Sequence, residues 1–444
     1  MKIGIDALAF DVAKLHLPIA NLAQKRIIDP EKLEKGLGLL KMTFPDVHQD
    51  AVVFAANALT GLVENHAIDL RNTDRIYVGT ESGIDNSKPI ASFVSALMEQ
   101  KFGEDLLRQC DVVDFTFACI GGVDALQNCL DFIRLHPEKQ AIVIATDIAK
   151  YDLGSGGEYT QGAGAIAMLV KANPRIIAFD SVWATDTKGL FDFFKPYRNL
   201  SKTEITGKDQ NPEWHGQLEQ HIEIHKDQPV FDGQYSNQCY MDRTRGAYFG
   251  FKKQMDVDGP LYDSWENIIM HLPYSFQGRR MLSEIFVLDS DGKTDASDLK
   301  AVAKSEGYQS FVSKKLVPAE KASSLVGNLY TGSIFMALLS TLAVHLEKNT
   351  KIEGTTFGFL AYGSGSKSKV FQGEIQPRWK QSLQSVKLFE TLAGSHEMDF
   401  ETYESLHRKE RTQSVRTPKH EWMIERIETE IPTLIGARYY KWID

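Results

Sequence analysis

The sequence predicts an α/β protein made of two comparable halves. Helical patterns alternate with short apolar, β-branched runs, as in helices packed on a buried sheet. A strand, a glycine-bearing turn and a helix follow one another near residues 112–133, and the same order returns in the second half. At 444 residues the chain is also long for one hydrophobic core and suits two.

The N-terminal "MKIGIDALAF" opens as a strand and lacks a long apolar signal core. "DAVVFAANALTGLVENH" carries apolar residues at helical spacing and leads into "RIYVGTE", a buried parallel strand. "VVDFTF" favours a strand. After it, Val123, Leu126, Leu130 and Ile133 recur with the helix period, and "QAIVIATD" follows as a second buried strand. "GAIAMLV" closes the first half, so the halves are residues 1–172 and 173–444.

The stretch from about 186 to 262 is polar and aromatic-rich, with "DFFKP", "NPEWHG" and "FDGQYSNQCY", and reads as a surface excursion ending in a helix. Regular structure resumes with "SWENIIMHLPY", the helical "SIFMALLSTLAVHLE" and the strand "TFGFLAYGSGS". The tail from about 396 is charged and reads as mostly helical.

Composition is that of an ordinary globular protein, 43% hydrophobic and 25% charged. A net charge of −9 gives no broad attraction to nucleic acid or anionic membranes. No apolar run reaches the roughly 18 residues needed to span a bilayer, so a cytoplasmic location is expected. Cys110, Cys119, Cys129 and Cys239 are too few and scattered for a disulfide framework, and no Cys-x-x-Cys pair suggests zinc. His221 and His225 of "HIEIH" read as a solvated helix face without the zinc-hydrolase pattern. No metal and no cofactor are expected.

Cys119 stands at a strand-to-helix turn. The positive end of a helix favours an anion, which predicts a thiolate nucleophile. Gly121 and Gly122 leave room for a ligand or another backbone. The alternative is a small buried hydrophobe, the usual state of a free cysteine. Four further stretches place polar residues after apolar strands, where loops build sites: "TESGID" with Glu81, "MHLPY" with His271, "GNLYTGS" with Asn328 and "YGSGS" with Ser364. Together they suggest acyl transfer, with Cys119 taking an acyl group, His271 polarising a carbonyl and Glu81 removing a proton beside a thioester. Individually, each also has a plain structural reading as a cap, an ion-pair partner or a loop residue. "GSGGEYTQGAGA" and "YGSGSKS" fit neither the phosphate loop nor the dinucleotide fingerprint.

These stretches, with "ACIGG", "ATDIAKY", "GGEYTQGAGAIAML", "DFFKP" and "FDGQYSNQCY", resemble the 3-hydroxy-3-methylglutaryl-CoA synthase family of the thiolase superfamily, from "IGIDALAF" to "AYGSGS" and more weakly to "RYYKWID". The resemblance implies a five-layered αβαβα fold, two pseudo-repeated halves and a homodimer. It implies condensation of acetyl-CoA with acetoacetyl-CoA in the mevalonate pathway, through acetylated Cys119, with Glu81 as general base and His271 on the acceptor carbonyl. Asn328 and Ser364 would hydrogen-bond acyl oxygens. Asp85, Asp147 and Asp192 align with family acidic residues near the site, and Tyr151 and Thr160 with acyl-pocket positions. Phe276 stands where many relatives have a lysine that contacts CoA phosphates, and Arg279 and Arg280 align with a basic pair just beyond.

Glu81 separates this reading from ketoacyl synthases, including the type III kind, which obtain their carbanion by decarboxylation. The nearest rival is a relative performing the same step on an acetoacetyl group held by an acyl carrier protein in polyketide β-branching. "ESGID" followed by Lys88 occurs there too, whereas the uninterrupted "GGEYTQGAGA" argues against it. A non-catalytic acyl-CoA-binding relative would need an impaired cysteine, histidine or base, and all three are present.

Overall fold

The computed structural model describes residues 1–207, 221–290 and 298–444. The first half contains β1 (Ile3–Val12), α1 (Ala51–His66), β2 (Thr73–Gly79), α2 (Ile90–Phe102), β3 (Asp111–Phe115), α3 (Gly121–Leu135), β4 (Gln140–Ala149) and β5 (Gly162–Ala172). The second contains β6 (Ile177–Phe179), β7 (Ala184–Thr187), α4 (Gly233–Met255), β8 (Asn267–Met270), α5 (Gln277–Leu288), α6 (Ser333–Glu347), β9 (Thr356–Gly363) and β10 (Lys367–Ile375). Local chemistry sets several boundaries. Asp50 caps α1 by accepting from Val53 N, and Asp232 caps α4 by accepting from Gln234 N and Tyr235 N.

The strands run in the order β8-β9-β10-β6-β1-β5-β4-β2-β3, with β7 added beside β10. β2 is parallel to β3 and β4, whereas β5 is antiparallel to β4 and β1. The two halves meet along a short seam, Gly4 opposite Ala178 and Ile5 opposite Ile177. A Cβ on Gly4 would fall 1.9 Å from the Ile177 carbonyl oxygen, so a side chain there would break the seam.

Helices α1 and α2 cover the outer face of the first half, and α4 packs on β7, β9 and β10 on the far side. Helix α3 lies between the halves. It rests on β1, β2, β4 and β5, while its Asp124 reaches Lys367 and Lys369 of β10 at 2.6 and 2.7 Å. Helix α6 packs on β8. The layers therefore run α-β-α-β-α, as expected. One apolar core surrounds α3, α6 and the second-half strands, and another lies beneath α1.

Three expectations are corrected. The 186–262 stretch is more than a surface excursion. β7 joins the sheet, Asp192 is fully buried, and α4 buries Tyr240, Thr244, Ala247, Tyr248 and Phe251, whose spacing is helical. Its "NPEWHG" lies outside the described residues. "HIEIH" is not a helix face, because His221–Ile224 is a strand paired antiparallel with Arg198–Ser201. The tail holds one helix, Phe400–His407, and then a hairpin of Glu421–Ile427 with Arg438–Ile443. Its Trp422 is buried against α1, donating from Nε1 to Thr60 Oγ1 at 3.0 Å, and Tyr440 donates to Asp50 Oδ2 at 2.8 Å. Among the described residues no helix is long and apolar enough to cross a membrane.

Candidate active site

Cys119 lies in the turn between β3 and α3. Ala118, just before it, has φ 40°, a left-handed conformation that costs an L-residue energy and persists only where the surroundings enforce it. Gly79 at the end of β2 packs tightly on the start of α3, where a Cβ would lie 2.2 Å from Gly122 N. At the glycine pair the close neighbour is thus another backbone.

The Cys119 thiol donates to Glu81 Oε1 at 3.2 Å. The other Glu81 oxygen, Oε2, is 3.1 Å from Lys195 Nζ. Lys195 also donates to the Glu81 backbone carbonyl at 3.3 Å and sits 4.5 Å from the centroid of the Tyr330 ring. Burial first, and then the Glu81 charge, hold the Cys119 thiol well above its ordinary range, with Lys195 opposing. The thiolate expected from the helix start is therefore not found. Desolvation and an adjacent carboxylate outweigh the dipole, and the Gly122 N–H is already taken by Thr331 Oγ1 at 2.5 Å.

Asp147 at the end of β4 is fully buried behind Glu81. It accepts from Thr80 Oγ1 (3.1 Å), Glu81 N (2.8 Å), Ser82 Oγ (2.7 Å) and Thr331 N (3.0 Å), which locks the Glu81 turn to the "LYTG" loop. Burial, and then the Glu81 charge, push its carboxyl up to about 7. Asp192 accepts from Tyr362 O–H at 2.6 Å and Gly365 N at 2.7 Å, ordering the loop that carries Ser364. Asp85 is exposed and accepts from Ser87 N and Lys88 N, each at 2.7 Å, within its own loop.

A cleft of about 820 Å³ brings Cys119, His271, Asn328 and Ser364 together, with Tyr151 and Thr160 in its wall. His271, just past β8, is buried, and its Nδ1 is hydrogen-bonded to Ser333 Oγ, which also accepts from Leu272 N at 3.2 Å. Burial pushes this imidazole down to about 3, so it is neutral at ordinary pH. Tyr240 donates to the His271 carbonyl at 2.7 Å and stacks on Tyr362 with centroids 4.4 Å apart. Asn328 Oδ1 accepts from Tyr330 N at 2.8 Å. A second cleft, of about 930 Å³, contains Glu81, Asp85 and Lys195 and shares Phe193 and Ser364 with the first.

Of the basic pair, Arg280 lines the main cleft, whereas Arg279 makes a two-pronged contact with Glu320 at 2.7 and 2.6 Å and lies over the Phe276 ring. Among the described residues no cluster of three or more His, Cys, Asp or Glu side chains could hold a metal ion. Sequence reasoning missed Lys195, Ser333 and Tyr330. Lys195 lies in "DFFKP", three residues past Asp192, but nothing in the sequence shows that it meets a carboxylate 114 residues away.

Comparison with known proteins points one way. Family models described as hydroxymethylglutaryl-coenzyme A synthase N terminal and C terminal match residues 1–174 and 299–430. The chain is 32% identical to a hydroxymethylglutaryl-CoA synthase of Enterococcus faecalis over 407 residues, 91% of each chain. It is 30% identical to one of Haloferax volcanii over 436 residues, again 91% of each. Among solved structures, MvaS in complex with 3-hydroxy-3-methylglutaryl coenzyme A superposes with a TM-score of 0.84 at 27% identity, covering 100% of this chain and 99% of that one. The curacin biosynthetic pathway HMG synthase superposes with a TM-score of 0.80 at 20% identity over the whole of both chains, a likeness of fold alone.

Proposed function

The chain belongs to the hydroxymethylglutaryl-CoA synthase family, a family of acyltransferases, and from that premise we propose that it condenses acetyl-CoA with acetoacetyl-CoA to 3-hydroxy-3-methylglutaryl-CoA. The observation that carries this reading is the Cys119–Glu81 contact at 3.2 Å, beside a cleft that also holds His271 and Asn328.

The thiol is protonated at rest, so its proton must leave as sulfur attacks the acetyl carbonyl, and Glu81 Oε1 is placed to take it. That proton passes to the departing CoA sulfur, leaving acetyl-Cys119 and Glu81 ionised again. Glu81 then removes a methyl proton. The resulting enolate attacks the ketone carbon of acetoacetyl-CoA, and the ketone oxygen becomes the hydroxyl. The neutral His271 fits the role of proton donor. In the tautomer in which Ser333, itself accepting from Leu272 N, gives its O–H to Nδ1, the ring proton sits on Nε2. The Asn328 carboxamide, its oxygen held by Tyr330 N, keeps its N–H groups for an acyl oxygen. Water finally cleaves the thioester to Cys119. The whole reaction consumes one water and releases one CoA.

The open edge of β3, where Val113 is 37% exposed, is offered as the edge at which two copies pair into a homodimer. The testing experiment is incubation with acetyl-CoA, intact mass and adduct mapping, then addition of the acceptor and identification of the product. Acetyl on Cys119 that becomes hydroxymethylglutaryl-CoA with free acetoacetyl-CoA supports the reading. Conversion only with acetoacetyl-acyl carrier protein moves the enzyme to polyketide β-branching, and no acetylation removes Cys119 from the chemistry.

A further inference from the structure

Lys195 has no part in the reaction as written above, yet its surroundings are those of a working group. Its side chain is only 11% exposed, and it reaches both the side chain and the backbone of Glu81, at 3.1 and 3.3 Å. It also lies over the face of Tyr330, 4.5 Å from the centroid. A buried ammonium costs energy unless opposite charge meets it, and here two carboxylates do, Glu81 directly and Asp147 from behind it. Although burial opposes it, the charges of Glu81 and Asp147 hold Lys195 above its usual range.

We propose that Lys195 is a positioning residue for the condensation step: its ammonium clamps Glu81 Oε2 and the Glu81 carbonyl, leaving Oε1, the oxygen that faces Cys119, as the one that takes the acetyl methyl proton. The inference rests on the reading of Glu81 as the base. Geometry carries it. With Oε2 engaged and Glu81 N bonded to Asp147, the carboxylate cannot turn its plane without breaking an ion pair. In the step itself the methyl C–H bond breaks, its proton passes to Oε1 and its electron pair becomes the enolate; Lys195 keeps all its protons. The lysine immediately follows the Phe193–Phe194 strand, whose partner Val230–Phe231 lies beside the acyl pocket, so the same segment shapes the cleft and delivers the charge.

The test compares wild type with Lys195→Met on three readouts: Cys119 acetylation by intact mass, exchange of the acetyl-enzyme methyl protons in deuterated water, and the pH dependence of condensation. In Lys195→Met, methyl exchange and condensation are expected to fall by about 100-fold while acetylation falls by far less, because general-base catalysis is typically worth that much. The ascending pH midpoint of condensation should move to higher pH, since loss of the neighbouring cation makes the base easier to protonate. A merely structural lysine would lower the rates without moving that midpoint. Lys195→Arg should restore the wild-type midpoint. If Lys195→Met does not fold, Lys195→Gln, which keeps an N–H donor but carries no charge, is read by the same midpoint. Condensation within threefold of wild type at an unchanged midpoint overturns the proposal. Normal methyl exchange in Glu81→Ala instead overturns the assignment of the base, whatever Lys195 does.

Discussion

Cys119 and Glu81 lie 38 positions apart in the chain, yet the thiol of one donates to the carboxylate of the other at 3.2 Å. The contact joins the end of one strand of the sheet to the turn after its neighbour, since β2 and β3 run parallel and side by side. The carboxylate favours the protonated thiol at rest and is placed to accept its proton during attack. One side chain can thus serve both acyl capture and enolate formation.

Replacing Glu81 with Gln should make the Cys119 thiol more acidic, because the negative charge beside it is gone while burial remains. Iodoacetamide alkylation followed by intact mass across a pH series should show the curve displaced toward lower pH, yet still above that of a free thiol. An unmoved curve would mean that Glu81 is not ionised beside the sulfur. Condensation by the same variant should fall by about 10²–10⁴.

His271→Ala should still be acetylated by acetyl-CoA but condense about 10²–10³ more slowly, the usual cost of losing a donor at a developing oxyanion. Its wild-type imidazole, pushed down to about 3, does not titrate between pH 5 and 8. A limb near pH 6.5 in the pH–rate profile that vanished with a His271 variant would contradict this environment.

His407 offers a pH-stability test away from the chemistry. Burial holds its pKa down to about 4, against 6.5 when unfolded, and its Nε2 is 2.7 Å from the Tyr151 carbonyl oxygen. Below pH 6.5 the unfolded chain binds a proton that the folded one refuses. The stability from the depressed pKa is therefore present above 6.5 and lost as pH falls toward about 4, at up to about 1.4 kcal/mol per pH unit. His407→Gln should flatten the melting temperature against pH in that window, by thermal denaturation from pH 7 to 4. A curve as steep as that of wild type would show that His407 titrates normally.

Gly79→Ala should destabilise the protein by about 3 kcal/mol or more, because the new methyl would meet the backbone of Gly122 at 2.2 Å rather than a side chain that can turn away. Denaturation midpoints would show it, and acetylation of Cys119 should fall with them, since the same contact supports the nucleophile turn. A stable, fully active variant would mean that the turn can relax without moving the thiol.

Much of this was readable from residue patterns. The β2, β4 and β5 strands announce themselves as apolar β-branched runs, and α1 and α3 by their helical period, because packing on a buried sheet demands those patterns. Glu81, Cys119, His271 and Asn328, which the fold gathers around two adjoining clefts, can be singled out in the sequence because each follows an apolar strand or sits in a short polar loop between helices. The tail hairpin was misread because "EWMIERI" is rich in charge and buries only Glu421 and Trp422 at its start, so it shows no clean period-two alternation. The state of the thiol was misjudged because sequence displays the start of α3 but not the carboxylate brought beside it. Lys195 was missed for the same reason, as its meaning lies in a partner that only the fold supplies.

The proposed nucleophile Cys119 and its neighbour Glu81 lie in the first half and Lys195, His271, Asn328 and Ser364 in the second, a division that has a bearing on synthesis at the ribosome. A nascent chain carries Cys119 well before Lys195, His271, Asn328 and Ser364 have been translated. During that interval the sulfur lacks the histidine, the amide and the nearby cation. The seam at Gly4 and Ile177 then seats the second half against the first. Under the proposed function, condensation is therefore expected only once translation has delivered both halves, and an unfinished chain released early is expected to form no condensation product.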